Sequence, residues 1–279
     1  MRNNQDRMGL EPPINNLQPG HEPPVEQHNP MQFIVPTELV ELPTKGLFYE
    51  EGHPLHLKET VEIRHMTTKE EDILTNKTFV KNGSAVDRLI KSVLVTPGVN
   101  VNDLYNADKD ALLIACRIHG YGADYQTQFA CPSCGTRQNH EFDLEEIENK
   151  DFESGLEKFD ASVDYDSKTF KMVIPRTKTT LELRLLKGNE DTKKQKKKNT
   201  NSITTQYKKI IKAVNGNTNP AYIKSYIDSM SALDSRYLRA AYSEITPGVD
   251  FSCHFECSAC DHEDQVEVPL NAGFFWPDA

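Results

Sequence analysis

The chain has a single tryptophan and six cysteines in 279 residues, and no apolar run approaches the roughly 18 residues needed to cross a bilayer. A helical membrane span is therefore not expected. The opening Met1-Arg2-Asn3-Asn4-Gln5-Asp6 has no apolar segment of the secretory kind, so neither an oxidising compartment nor a disulfide framework is expected. Catalytic signatures are missing as well. There is no Walker phosphate loop, no Gly-x-Ser-x-Gly, no His-Glu-x-x-His and no Gly-x-Gly-x-x-Gly after a strand. Carboxylates abound, but a chain this acidic brings many together without purpose, so none is assigned a catalytic role and no enzyme is expected. Cations are in deficit, with Lys+Arg 32 against Asp+Glu 42 and a net charge of −10, which repels phosphate backbones and argues against nucleic acid as a main partner.

What is present centres on two cysteine pairs, Cys131-Pro132-Ser133-Cys134 and Cys257-Ser258-Ala259-Cys260, 126 positions apart (131 to 257). Two thiolates separated by two residues fit one tight turn, and two such turns facing each other complete a tetrahedral four-sulfur site suited to structural Zn²⁺. At the same offset and without a gap, Leu112, Ala115, Gly122, Asp124, Phe129, Glu141 and Leu144 recur as Leu238, Ala241, Gly248, Asp250, Phe255, Glu267 and Leu270, and Tyr125 falls on Phe251. The unit is duplicated. Each copy reads as a helix, a glycine turn, a strand entering Cys-x-x-Cys and a short strand leaving it (Gln138 to Leu144; Gln265 to Leu270). Cys131, Cys134, Cys257 and Cys260 are thus expected to clamp two hairpins that lack a core of their own.

Other uses of the cysteines fit less well. A redox pair needs a thioredoxin-like βαβ context, which is missing, and would not need a second copy. A zinc deaminase needs a His-x-Glu or Cys-x-Glu feeding the ion, and four thiolates leave no open position for water. Cys253 alternates onto the face of Phe255 and Cys116 lies in a helical stretch, so both are expected to pack in the core. His140, His254 and His262 are near the site but superfluous to it.

In chain order, residues 1–35 hold Pro12, Pro13, Pro19, Pro23, Pro24 and Pro30 among polar residues and read as a disordered arm, either a solvated tail or a segment that drapes over a neighbouring subunit. Residues 36–145 read as a small β-meander (Val35 to Leu42, Leu55 to Arg64), helices capped at Thr67 or Thr68 and at Ser84, a further helix opened by Asp108, and the first knuckle. Residues 146–230 read as a partly helical acidic stretch, a hairpin from Val163 to Ile174 and Thr180 to Leu186, a Lys-rich loop (Lys193, Lys194, Lys196, Lys197, Lys198), and helices from Ile203 to Val214 and Ala221 to Met230. Residues 231–279 hold a helix from Leu233 to Ile245, the second knuckle, and the end Phe274-Phe275-Trp276-Pro277, which either tucks into the core or, the favoured reading, docks on a partner. The expected fold class is α+β: a small N-terminal β-meander, a helical middle, and a zinc ribbon built from two sequence-distant CxxC hairpins.

Three stretches carry a resemblance. Leu42-Pro43-Thr44-Lys45-Gly46-Leu47-Phe48-Tyr49, the run from Val61-Glu62-Ile63-Arg64-His65-Met66 through Thr67-Thr68-Lys69-Glu70-Glu71-Asp72-Ile73-Leu74, and Arg88-Leu89-Ile90 resemble the T4-type bacteriophage baseplate hub assembly family in a zinc-knuckle-containing version. The resemblance implies a non-enzymatic hub subunit or assembly factor of a contractile phage tail, assembled in the host cytoplasm, located in the virion baseplate and bound to other tail proteins. The rival from another class is a zinc-ribbon nucleic-acid-binding or transcription-related phage protein using the lysine loop; five like charges in a polar stretch without aromatics read more readily as a solvated loop.

Overall fold

The computed structural model describes residues 34–188, 202–270, 274 and 275. Nearly all of the Pro-rich arm, the run Lys193 to Lys198 and Trp276-Pro277 lie outside these residues. The fold is mixed α+β, with its strands in small antiparallel sheets and helices between them.

At the N-terminal end, β1 (Thr37–Glu41) pairs with β2 (Thr60–Arg64), Val40 facing Val61. Period-2 alternation turns Val40, Val61 and Ile63 inward. The connecting stretch is a chain of turns that folds beneath the hairpin, burying Leu42, Thr44, Phe48 and Tyr49. Gly46 makes this possible: its φ is +69°, and a Cβ there would collide with the Leu55 carbonyl and the Lys58 amide. Phe48 then stacks on Phe170, ring centroids 5.1 Å apart, joining this end to the middle of the chain.

Three short helices follow, α1 (Thr68–Thr75), α2 (Lys77–Lys81) and α3 (Ala85–Val93). Thr67, not Thr68, caps α1. The buried Glu70 reaches back to the Thr67 amide (3.0 Å) and also accepts two bonds from Arg64 (3.0 and 2.7 Å) and one from Ser92. Burial alone would raise this carboxyl, but the bonds from Arg64, Ser92 and Thr67 together hold it down at about 2. Ser84 occupies the cap position of α3 without a side-chain bond. The long helix α4 (Asn106–Tyr121) starts two residues before Asp108, which is its buried third residue.

After α4 come β3 (Asp124–Ala130), β4 (Arg137–Asp143), the two-residue β5 (Glu148–Asn149) and α5 (Phe152–Lys158). A four-stranded antiparallel sheet then runs β6 (Ser162–Asp164), β7 (Thr169–Val173), β8 (Thr180–Arg184) and, beyond α6 (Ile203–Ile210), β9 (Ile211–Val214). Two expectations are corrected here. The stretch from Val163 to Ile174 is not one strand: the Asp164 side chain accepts the amides of Asp166 and Ser167, and Lys168 turns at φ +54°, so the chain doubles back to pair β6 with β7. The helix expected to reach Val214 stops at Ile210, because Ile211 to Val214 supply the strand that the open edge of β8 needs, Leu181 facing Val214. β-branched residues there favour the strand, and tertiary pairing overrides helical periodicity.

The rest comprises α7 (Pro220–Ser229), α8 (Ala232–Ile245), β10 (Val249–Asp250), β11 (Ser252–Glu256) and β12 (Glu263–Glu267). At the end, Phe274 and Phe275 tuck in instead of facing a partner. Phe274 packs edge-on against Tyr125 at 5.3 Å, and its carbonyl accepts the Nε of the fully buried Arg117 at 2.6 Å.

Candidate metal centre

Each knuckle is a β-hairpin, β3–β4 in the first copy and β11–β12 in the second, with the cysteines at its turn. The two turns are hydrogen-bonded alike. The Cys131 amide donates to the Thr136 carbonyl and the Gly135 amide to the Cys131 carbonyl; 126 positions on, Cys257 donates to His262 and Asp261 to Cys257, all four bonds at 2.9 Å. The residue after the second cysteine has positive φ in both, Gly135 at +73° and Asp261 at +52°, aspartate being among the few side chains that tolerate this region. The duplicated sequence therefore folds into a duplicated turn.

The turns face each other. Cys131 Sγ lies 3.8 Å from Cys260 Sγ, and Cys134 Sγ lies 3.8 Å from Cys257 Sγ; all four sulfurs fall within 4.8 Å of one another. An ion about 2.3 Å from four tetrahedral sulfurs sets each sulfur–sulfur edge at about 3.8 Å, so the four cysteines are spaced to hold one metal ion. The first cysteine of each turn is buried and the second exposed, the same asymmetry in both copies. The two exposed thiols are pushed in opposite directions. Hydrogen bonds from Thr136 hold the Cys134 thiol down at about 6. The His262 amide also favours the Cys260 thiolate, yet the hydrogen bond to Cys134, burial and the remaining sulfurs push that thiol up to about 12.

The hairpins are not held by sulfur alone. Phe129 packs against Phe255 (4.9 Å) and Phe142 (5.7 Å), and His140 sits on both Phe142 (4.6 Å) and Phe255 (4.9 Å). Gln138 bridges the copies by donating to the Glu256 carbonyl (2.8 Å) and accepting from the Ser258 amide and hydroxyl (both 2.9 Å). A small aromatic core thus replaces the coreless pair expected from the sequence. Cys253 and Cys116 are buried away from the site, where desolvation pushes their thiols up to about 11 and about 12. His254 and His262 contribute backbone groups to the hairpins.

Sequence reasoning gave Asp108 only the role of opening a helix and passed over Asp234 and Arg117, yet all three set this frame. Asp108 and Asp234 are buried third residues of α4 and α8, themselves 126 apart, and the repeat offset would have paired them. Asp108 accepts the Thr44 amide (3.1 Å), the Thr44 hydroxyl (2.8 Å) and the Tyr49 hydroxyl (2.7 Å). Burial raises its carboxyl to about 6 against the lowering effect of these bonds. The stretch from Leu42 to Tyr49 therefore docks the N-terminal turns onto the start of the helix that leads into the first knuckle. Arg117, deep between α4 and β3, has no sequence signal beyond being a cation on an apolar face.

Against models of known families, residues 40–276 match that of the T4 bacteriophage base plate protein. The chain belongs to that family. The match covers both knuckles and the segment from Leu42 to Tyr49, so the motif and the duplicated turns lie within one family unit. No curated protein sequence and no solved structure matches the chain. As a base plate protein it is a structural component of a phage tail, and no helix among its described residues is long and apolar enough to cross a membrane.

Proposed function

We propose that this base plate protein is a non-enzymatic component of the central hub of a contractile phage tail, in which Cys131, Cys134, Cys257 and Cys260 bind one structural Zn²⁺. The observation that carries the metal reading is the pair of 3.8 Å sulfur contacts, Cys131 to Cys260 and Cys134 to Cys257, which join one knuckle to the other across 129 and 123 residues. Four thiolates close the coordination sphere, so the ion serves to fix geometry and not to activate water. It locks the angle between α4–β3–β4 and α8–β11–β12 and presents a preorganised surface to neighbouring tail proteins, which lowers the ordering cost of assembly.

The hub assignment is supported by the resemblance of the segments Leu42 to Tyr49 and Val61 to Leu74, whose buried Thr44, Tyr49 and Glu70 organise the N-terminal half. The nucleic-acid alternative gains no support from the described residues, and the net charge opposes it. Quantitative mass spectrometry of purified virions, and of hub subassemblies isolated before tail completion, tests the proposal. The chain is expected in both, in proportion to other hub subunits. Presence in the subassembly alone would make it an assembly factor, and association with another part of the base plate would remove the hub assignment.

A further inference from the structure

At the C-terminal end of α4, three side chains able to ligate a metal meet. The register of β1 and β2 places Glu38 opposite Ile63, and the His65 amide donates to the Pro36 carbonyl at 2.9 Å. Alternation then puts Glu38 and His65 on the inward face shared with Val40, Val61 and Ile63, at its outer end, where apolar residues continue the pattern elsewhere. His119, in the last turn of α4, meets them: the rings of His65 and His119 lie parallel within 13°, centroids 5.0 Å apart. One ligand atom from each of Glu38, His65 and His119 lies within 4.8 Å of the other two.

Two details separate this cluster from an ordinary surface ion pair. His65 Nε2 is shielded from solvent and has no hydrogen-bond partner, an arrangement that costs free energy unless something else occupies its lone pair or proton. The nearest carboxylate oxygen, Glu38 Oε1, stands 3.5 Å away, long for a charge-assisted hydrogen bond. Ligand atoms about 2.1 Å from a tetrahedral ion lie about 3.4 Å apart, so the gap has the size an intervening ion would impose. In the stack the ring nitrogens run parallel and do not converge, so ligation requires the exposed His119 ring to rotate out of the stack toward His65 Nε2 and Glu38.

We propose that Glu38, His65 and His119 form a second metal site, for a borderline divalent transition ion such as Zn²⁺, Co²⁺ or Ni²⁺, stapling the N-terminal hairpin to the end of α4. Two imidazoles and one carboxylate suit these ions and not Mg²⁺ or Ca²⁺, which require more oxygen ligands. The carbonyl end of the helix adds favourable negative potential. Three protein ligands leave a position open on the exposed side, so this ion exchanges more readily than one held by four thiolates and can accept a fourth ligand from outside the chain.

The test is a Co²⁺ titration of the full chain after its cysteine site has been filled with zinc, followed by isothermal calorimetry and by paramagnetic broadening of histidine ring signals. A second equivalent is expected, with broadening of His65 and His119 and without thiolate-to-cobalt absorption. His119→Ala, an exposed substitution, should weaken it roughly tenfold or more while leaving the zinc content unchanged. Absence of a second equivalent, or one that persists unchanged in His119→Ala, overturns the proposal. Thiolate-to-cobalt absorption in place of histidine broadening puts the added ion at the cysteines and likewise overturns the proposal.

Discussion

The two copies of the duplicated unit share their turns and differ in their surroundings. Leu112 and Leu238 are both fully buried on their helices, and the third residue of each helix is a buried aspartate. Outside the turn the likeness fades. β3 and β4 run seven residues each, whereas β11 and β12 run five. Leu144 is fully buried, but its counterpart Leu270 is 45% exposed. Arg117 donates to the carbonyls of Phe274, Gly122 and Asp124, tying helix, strand and C-terminal segment together, while the equivalent Ser243 is exposed. The difference teaches that duplication preserved what positions sulfur and relaxed what packs around it. The first copy is tied to the C-terminal segment through Arg117, whereas the helix of the second is held by other elements, Tyr207 bonding Ser235 and Tyr242 bonding the Arg184 carbonyl.

The comparison can be broken at its most symmetric point. Cys131→Ser and Cys257→Ser each remove one ligand of a shared ion, so both are expected to lower stability by several kcal/mol and by similar amounts in denaturant unfolding. The aromatic contacts between the knuckles keep the loss below complete unfolding. Markedly unequal effects, with one pair dispensable, would make these two unrelated turns. Leucine truncation sharpens the contrast where packing has diverged. Leu144→Ala should cost roughly 2–5 kcal/mol by thermal or chemical unfolding, against about 0.5 kcal/mol for Leu270→Ala. Equal costs would mean that the second copy is as firmly packed as the first.

A smaller effect concerns pH and belongs to the first copy. The Asp108 carboxyl is raised to about 6 in the folded chain from an ordinary value of 3.8. Its contribution to stability is therefore fully present below about pH 4 and is lost as pH rises through 6, on the order of 1.4 kcal/mol per unit within that window. Asp108→Asn should flatten this part of the stability–pH curve. An unchanged slope would show that the buried carboxyl does not titrate there.

The clustering of Cys131, Cys134, Cys257 and Cys260 and their two hairpins was legible because a repeat without a gap fixes spacing on both sides of the turn. The helices from Ala85 to Val93 and from Ala232 to Ile245 followed from apolar residues at helical spacing. Less legible were features set by distant partners. Ile211 to Val214 became a strand because β8 had an open edge, which no local pattern around Ile210 reveals. Phe274 and Phe275 turned inward because Arg117 and Tyr125, some 150 residues earlier, offer a carbonyl partner and a ring. The cluster of Glu38, His65 and His119 is likewise invisible in sequence, since its members come from two strand ends and a helix end.

The central claim is that one ion joins the two copies. It is tested most directly by elemental mass spectrometry of protein purified without added metal, with thiol titration alongside. The account predicts one tightly held zinc per chain and four of the six cysteines protected from thiol reagents until a strong chelator is added. Protein free of metal, with Cys131, Cys134, Cys257 and Cys260 reacting freely while the chain stays folded, would contradict it.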